Sequence, residues 1–171
     1  MISKKIEKEI NEQINAEFWS AYLYLSMSAY FVSKNLPGFA NWMQIQYQEE
    51  ISHALKFFNY LNERGGRVIL TPIKEVKKEW KDEIEVFQET LKHEQHVTFL
   101  INNLVNLAIE EKDHASNNML QWYVSEQVEE EANVDEILQQ LVLLEGNKFG
   151  LLMLDRELKQ RTFVDETVQN N

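Results

Sequence analysis

The sequence contains no cysteine. That excludes disulfides, thiolate-held metals and thiol catalysis. Two prolines and five glycines in 171 residues leave few breaks, which points to long helices and little sheet. No apolar run reaches the length that crosses a bilayer. The opening residues Met1-Ile2-Ser3-Lys4-Lys5 are charged and have no apolar signal core, so the expectation is a soluble, cytoplasmic protein without a membrane partner. Positive charge is scarce as well: 17 Lys and Arg stand against 28 Asp and Glu, a formal net charge of −11. That balance argues against nucleic acid as a partner and suits the attraction of cations.

What the chain does have is apolar residues at helical spacing. The spacing predicts helices over 4–34, 37–64, 82–111, 113–144 and 148–160. Asn35-Leu36-Pro37-Gly38 separates the first two, since Pro suits a first helical turn and does not continue a helix from before it. Gly65-Gly66 ends the second as a left-handed C-cap, Asp82 with Glu85 reads as a capping box, and Asp113 reads as an N-cap. Residues 67–80 contain Pro72, lack a helical period and are expected to lie, extended and apolar, against the helices. The polar tail 165–171 is expected to fray. Neither helical hairpin can bury its apolar stripes alone. The expected fold is therefore one all-α domain over 1–171: a four-helix bundle with a long crossover between its second and third helices and a short fifth helix.

Polar residues interrupt the core stripes at four places. Glu17 shares a face with Ile10, Ile14, Ala21 and Tyr24, and Glu50 with Met43, Tyr47, Ala54, Phe57 and Leu61. Glu94 falls among Phe87, Leu91, Val97 and Ile101, and Glu130 among Tyr123, Gln127, Val134 and Ile137. His53 projects with Glu50, one turn away. With a turn at residue 35, Glu17 stands 18 residues before it and Glu50 and His53 stand 15 and 18 after it. With a turn at 112, Glu94 stands 18 before and Glu130 18 after. All then reach one level, roughly 27 Å from the hairpin ends at 1.5 Å per residue.

Buried carboxylates are costly unless they are paired or hold a metal. A salt-bridge network would need Lys or Arg on these stripes at that level, and there is none. A pair of divalent cations removes the difficulty, and oxygen ligands with one imidazole suit iron, manganese or zinc. The recurring di-metal pattern in such bundles is one Glu from each of two helices and Glu-x-x-His from each of the others. This chain supplies Glu17, Glu94 and Glu50-Ile51-Ser52-His53 but departs at Gln127-Val128-Glu129-Glu130, where Glu130 replaces the second His.

Through Glu17 with Tyr24, Glu49-Glu50-Ile51-Ser52-His53, Glu94, and Trp122 with Glu126-Gln127-Val128-Glu129-Glu130, the chain resembles the non-haem prokaryotic ferritins along its whole length. The resemblance implies a ferritin-like fold and a ferroxidase that oxidises Fe(II) with dioxygen or peroxide and stores the ferric product in a hollow homo-oligomeric shell of 24 subunits. It implies iron ligands Glu17, Glu50 and His53 at one position and Glu50, Glu94 and Glu130 at a second, with Gln127 close by. It also implies a third iron site using Glu49, Glu126, Glu129 and Glu130, and Tyr24 beside the centre as a hydrogen-bond or electron donor. Haem-bearing relatives carry a His at the last motif and a Met after the bridging Glu; Glu130 and Ile51 stand here, so no haem is expected.

Simpler readings remain beside these. Glu49, Glu126 and Glu129 flank the core stripe, where a solvated acidic face also explains them. Tyr24 is at a core spacing and suits packing as well as redox chemistry. His93, His96 and His114 carry no assigned role. The apolar residues Phe149, Leu152 and Leu154 of the fifth helix exceed what a lone surface helix needs and favour an interface. The alternative function is a di-metal oxidase or peroxidase with no storage role.

Overall fold

The computed structural model describes residues 2–165 and 167, and among these it contains five α-helices and no strand. The helices are α1 (Lys4–Ser33), α2 (Pro37–Glu63), α3 (Glu83–Glu110), α4 (His114–Leu143) and α5 (Lys148–Leu158). Each end falls within two residues of the position read from the spacing. Of the tail expected to fray, only Asp165 and Thr167 are described; the rest lies outside the described residues.

Two compact units divide the chain. One holds residues 10–79 and the described residues from 147 onward; the other holds residues 2–9 and 80–146. In the first unit, α1 and α2 form a hairpin. Asn35 takes the left-handed conformation with φ 58° at its turn, and Pro37 opens α2. The Asn35 and Leu36 amides bond back to the Val32 and Phe31 carbonyls, the pattern that closes a helix on a left-handed residue. Gly65 does the same for α2 at φ 72°, with Gly66 N–H on the Leu61 carbonyl.

Leu36 cannot cap α2, having no side-chain acceptor. Asp155 of α5 supplies one instead. Its Oδ1 accepts from Gly38 N–H at 2.7 Å and from Phe39 N–H at 3.1 Å. In return Asn41 Nδ2 donates to the carbonyls of Leu158 at 3.2 Å and Arg161 at 3.0 Å, at the C-terminal end of α5. The start of α2 and the end of α5 thus satisfy each other's terminal groups. Gly38 is required by this contact: a Cβ there would stand 1.6 Å from the Asp155 carbonyl oxygen. On α5, Leu154 and Leu158 are buried within the chain, so of the three residues expected at an interface only Phe149 and Leu152 are exposed.

The crossover follows α1 and is held by polar contacts. Asn11 bonds the backbone at Arg67 and Ile69, Asn15 bonds the Thr71 carbonyl, and Ser26 bonds the Lys77 carbonyl. The crossover thus lies extended against a helix as expected, but not by burying most of its apolar residues. Ile69, Leu70 and Ile73 are exposed, and Val76 and Trp80 are the residues it buries. Backbone hydrogen bonds to α1 fix the path of the crossover without using those side chains.

In the second unit, α3 and α4 pair across a short turn where Lys112 is left-handed at φ 54°. Asp113 caps α4 by accepting from Ser116 N–H. Asp82 caps α3 by accepting from Glu85 N–H at 2.9 Å, and the Glu85 carboxylate reaches the Lys81 amide, one residue before the position a regular capping box uses.

Asp155→Ala strips two amides of their acceptor and is expected to cost about 2 kcal/mol, lowering Tm by ~4–8 °C in a thermal melt. Asp155→Asn, which keeps an acceptor oxygen, loses less. Equal losses would show that Asp155 acts through packing and not through the cap.

Candidate metal centre

α1 and α2 carry the first set of ligating groups. Glu17, Glu50 and His53 are each at most 4% exposed, and one ligating atom from each lies within 4.8 Å of the others. Their neighbours on the predicted stripes, Ile10, Ile14, Met43 and Phe57, are buried, so the apolar face carries these polar groups inward. Glu50 and His53 stand one turn apart, with Glu50 Oε2 at 3.8 Å from His53 Nδ1, a distance that fits joint ligation better than a direct hydrogen bond. Glu17 Oε1 accepts from Gln13 Nε2 at 2.9 Å, while Glu17 Oε2 is buried and has no hydrogen bond among the described residues. An acceptor left so in a buried place suits a cation. Gln13 is a residue the sequence reading did not single out; its signal was its place four residues before Glu17 on the same face.

α3 and α4 carry the second set. Glu94, Gln127 and Glu130 are all buried. Gln127 Nε2 donates to Glu94 Oε2 at 3.1 Å and to the Glu94 carbonyl at 3.2 Å. Equal offsets from residue 112 set Glu94 level with Glu130; the α4 residue that bonds Glu94 is Gln127, one turn before Glu130. Tyr24 is fully buried on α1, one turn beyond Ala21 on the Glu17 face.

The residues expected at a third iron site differ from one another. Glu129 is exposed and Glu126 half-buried. Glu49 is half-buried and engaged: Arg161 Nη2 lies 2.8 Å from Glu49 Oε2 and 3.1 Å from Oε1, and Arg161 Nη1 donates to Gln46 Oε1. The guanidinium also lies over the Trp42 ring, 4.8 Å from its centroid. Arg161 lies 112 residues from Glu49 in sequence, and no local spacing signals the pair.

Of the histidines without a role, His93 titrates abnormally: burial, and then the neighbouring His96, lower its pKa to about 4, so it is neutral at pH 7. Trp122 is half-buried, edge-on to Tyr123 at 4.8 Å between centroids.

A family model described as the ferritin-like domain matches residues 7–144. The bacterial non-heme ferritin of Bacteroides fragilis is 43% identical over 161 residues, covering 94% of this chain and all of that protein. That of Campylobacter jejuni is 40% identical over 159 residues, covering 93% of this chain and 95% of the relative. The crystal structure of an open-pore ferritin from the archaeon Archaeoglobus fulgidus superposes with a TM-score of 0.94 at 50% identity, over 95% of this chain and all of the other. A form of that ferritin engineered to be closed gives 0.95 at 49% identity, over 96% of this chain and all of the other. The fold is the all-α four-helix bundle with a short fifth helix that the helical spacing predicted. Sharing half its residues with a ferritin of known structure over nearly its whole length, and matched by the ferritin-like domain from α1 to the end of α4, the chain belongs to the ferritin family.

Proposed function

We propose that this protein stores iron and oxidises it on the way in. Both units work as one ferritin-like domain over 1–171. The observation that carries the reading is the buried convergence of Glu17, Glu50 and His53 within 4.8 Å, on a chain that belongs to the ferritin family. Fe(II) is the substrate. Glu17, Glu50 and His53 bind one ion, and Glu94 and Glu130 bind a second. Gln127 holds Glu94 in place, and Tyr24 stands by as a hydrogen-bond or electron donor. Hard carboxylate oxygens with a single imidazole suit Fe(II) and, still better, Fe(III). Each Fe(II) gives up one electron, and dioxygen, or peroxide, accepts the pair.

A second imidazole would hold metal more permanently; Glu130 in its place favours exchange and transit of the oxidised ion. Copies of the chain assemble into a closed shell, 24 by analogy with ferritins, and the exposed Phe149 and Leu152 of α5 support such contacts. Among the described residues no helix is long and apolar enough to cross a membrane. The acidic balance supports cation attraction, and the cytoplasm is the proposed location. Glu49, Glu126 and Glu129 are the candidate groups for a third iron, with Glu49 reached only by displacing Arg161.

Aerobic addition of Fe(II) to metal-free protein tests the reading. Ferric absorbance is expected to rise quickly, and gel filtration is expected to retain far more iron on the particle than a two-metal site can hold. Glu50→Ala and Glu130→Ala are each expected to slow oxidation at least about tenfold. Uptake that stops at the capacity of a two-metal site would remove the storage role and favour a di-metal oxidase or peroxidase.

Glu17→Gln separates metal binding from folding. It removes a buried charge while keeping an acceptor for Gln13, so the metal-free Tm is expected to stay level or rise. Wild-type protein in Zn(II) at about 100 times its dissociation constant gains ~2.7 kcal/mol, and the variant is expected to lose most of that shift. A variant less stable without metal, with the full Zn(II) shift intact, would count against Glu17 as a ligand.

A further inference from the structure

One polar array on the α3/α4 hairpin extends beyond the proposed ligands. Glu94 and Thr98 stand one turn apart on α3, and Gln127 and Glu131 stand one turn apart on α4. Besides its two bonds to Glu94, Gln127 Nε2 lies 3.4 Å from Thr98 Oγ1. Thr98 Oγ1 donates to Glu131 Oε1 at 2.5 Å, the short distance of a hydroxyl on a carboxylate. The array runs from half-buried Glu131 and Thr98 to fully buried Gln127 and Glu94.

We infer that Thr98 and Glu131 are positioning residues for Glu94, acting through Gln127. The argument is one of proton count. A hydroxyl has a single proton, and that of Thr98 goes to Glu131, so toward Gln127 it offers only lone pairs. A threonine within a helix ordinarily returns its proton to the carbonyl four residues earlier. Here that carbonyl belongs to Glu94, and it accepts from Gln127 instead. Three acceptors therefore surround one end of the Gln127 amide: Glu94 Oε2, the Glu94 carbonyl and Thr98 Oγ1. That environment fixes the nitrogen at this end, so Gln127 presents N–H, never C=O, to the Glu94 carboxylate. The carboxylate is held in one orientation before a cation arrives. Outer groups that fix a ligand this way typically change metal affinity by 10- to 100-fold. A valine at 98 would match the shape and supply no lone pair.

This inference rests on the reading of Glu94 as an iron ligand, and the experiment separates the two. Zn(II) binding to the metal-free full-length protein is measured by calorimetry, together with initial rates of Fe(II) oxidation and metal-free Tm. Glu94→Ala identifies the site to which Glu94 belongs. At that site Thr98→Val is expected to weaken Zn(II) about tenfold or more, and Thr98→Ser to restore the affinity. Where Thr98→Val fails to assemble, Glu131→Ala, at a half-buried position, carries the same expectation of weakened binding. Full affinity in Thr98→Val beside an impaired Glu94→Ala overturns the inference and leaves the reading of Glu94 standing. Equal loss in the Val and Ser variants also overturns it, because packing would then be the cause. Unchanged Zn(II) binding in Glu94→Ala removes the reading of Glu94 itself.

Discussion

A carboxylate taken out of water has to recover in the protein what it loses in hydration. Glu17, Glu50, Glu94 and Glu130 all sit on core stripes and are all buried, so the interior of this protein is organised around how each is compensated. Hydrogen bonds supply part of the answer. Gln13 holds one oxygen of Glu17, and Gln127 holds one oxygen of Glu94. Each of these amides is a neutral donor, which satisfies a carboxylate oxygen without adding a countercharge. An Arg in the place of Gln13 would instead set a permanent cation against Glu17.

Glu49 shows the opposite choice. One turn along α2 from His53 and adjacent to Glu50, it meets a guanidinium that is also fixed on Trp42 and Gln46. One guanidinium nitrogen, Nη2, faces both Glu49 oxygens while Nη1 is held by Gln46, a charge-assisted pair fixed from two sides. Two adjacent acidic residues on one helix are thus given different surroundings: Glu50 is buried beside Glu17 and His53, and Glu49 is joined to a permanent organic cation. A metal that used Glu49 would have to displace Arg161.

Much of this arrangement was legible in the sequence, because periodicity carries it. Helix ends, stripes and equal distances from a turn are local or arithmetic properties, and Glu17, Glu50, His53, Glu94, Gln127 and Glu130 all proved buried where the stripes placed them. What stayed hidden depends on residues distant in sequence. Gly38 looked like part of a helix break, yet its lack of a Cβ is needed by the Asp155 carbonyl, more than a hundred residues on. The crossover looked apolar enough to lie against the helices, and it does follow α1, but Asn11, Asn15 and Ser26 hold its backbone there, and hydropathy does not register such bonds. Arg161 gave no signal because nothing in a polar, irregular segment says which helix it returns to.

The caps on α2 and α5 bring stability and site geometry together. α2 carries Glu49, Glu50 and His53, so the placement of its N-terminal end bears on the register of all three. That end is capped by Asp155, a residue of α5, and the segment after α5 delivers Arg161 to Glu49. The same short helix presents Phe149 and Leu152 outward. A contact that covered those two side chains would press on an element whose inner face caps α2 and whose continuation holds Glu49. Because a buried cap cannot shift without stranding the Gly38 and Phe39 amides, the position of α5 and the position of α2 are set together.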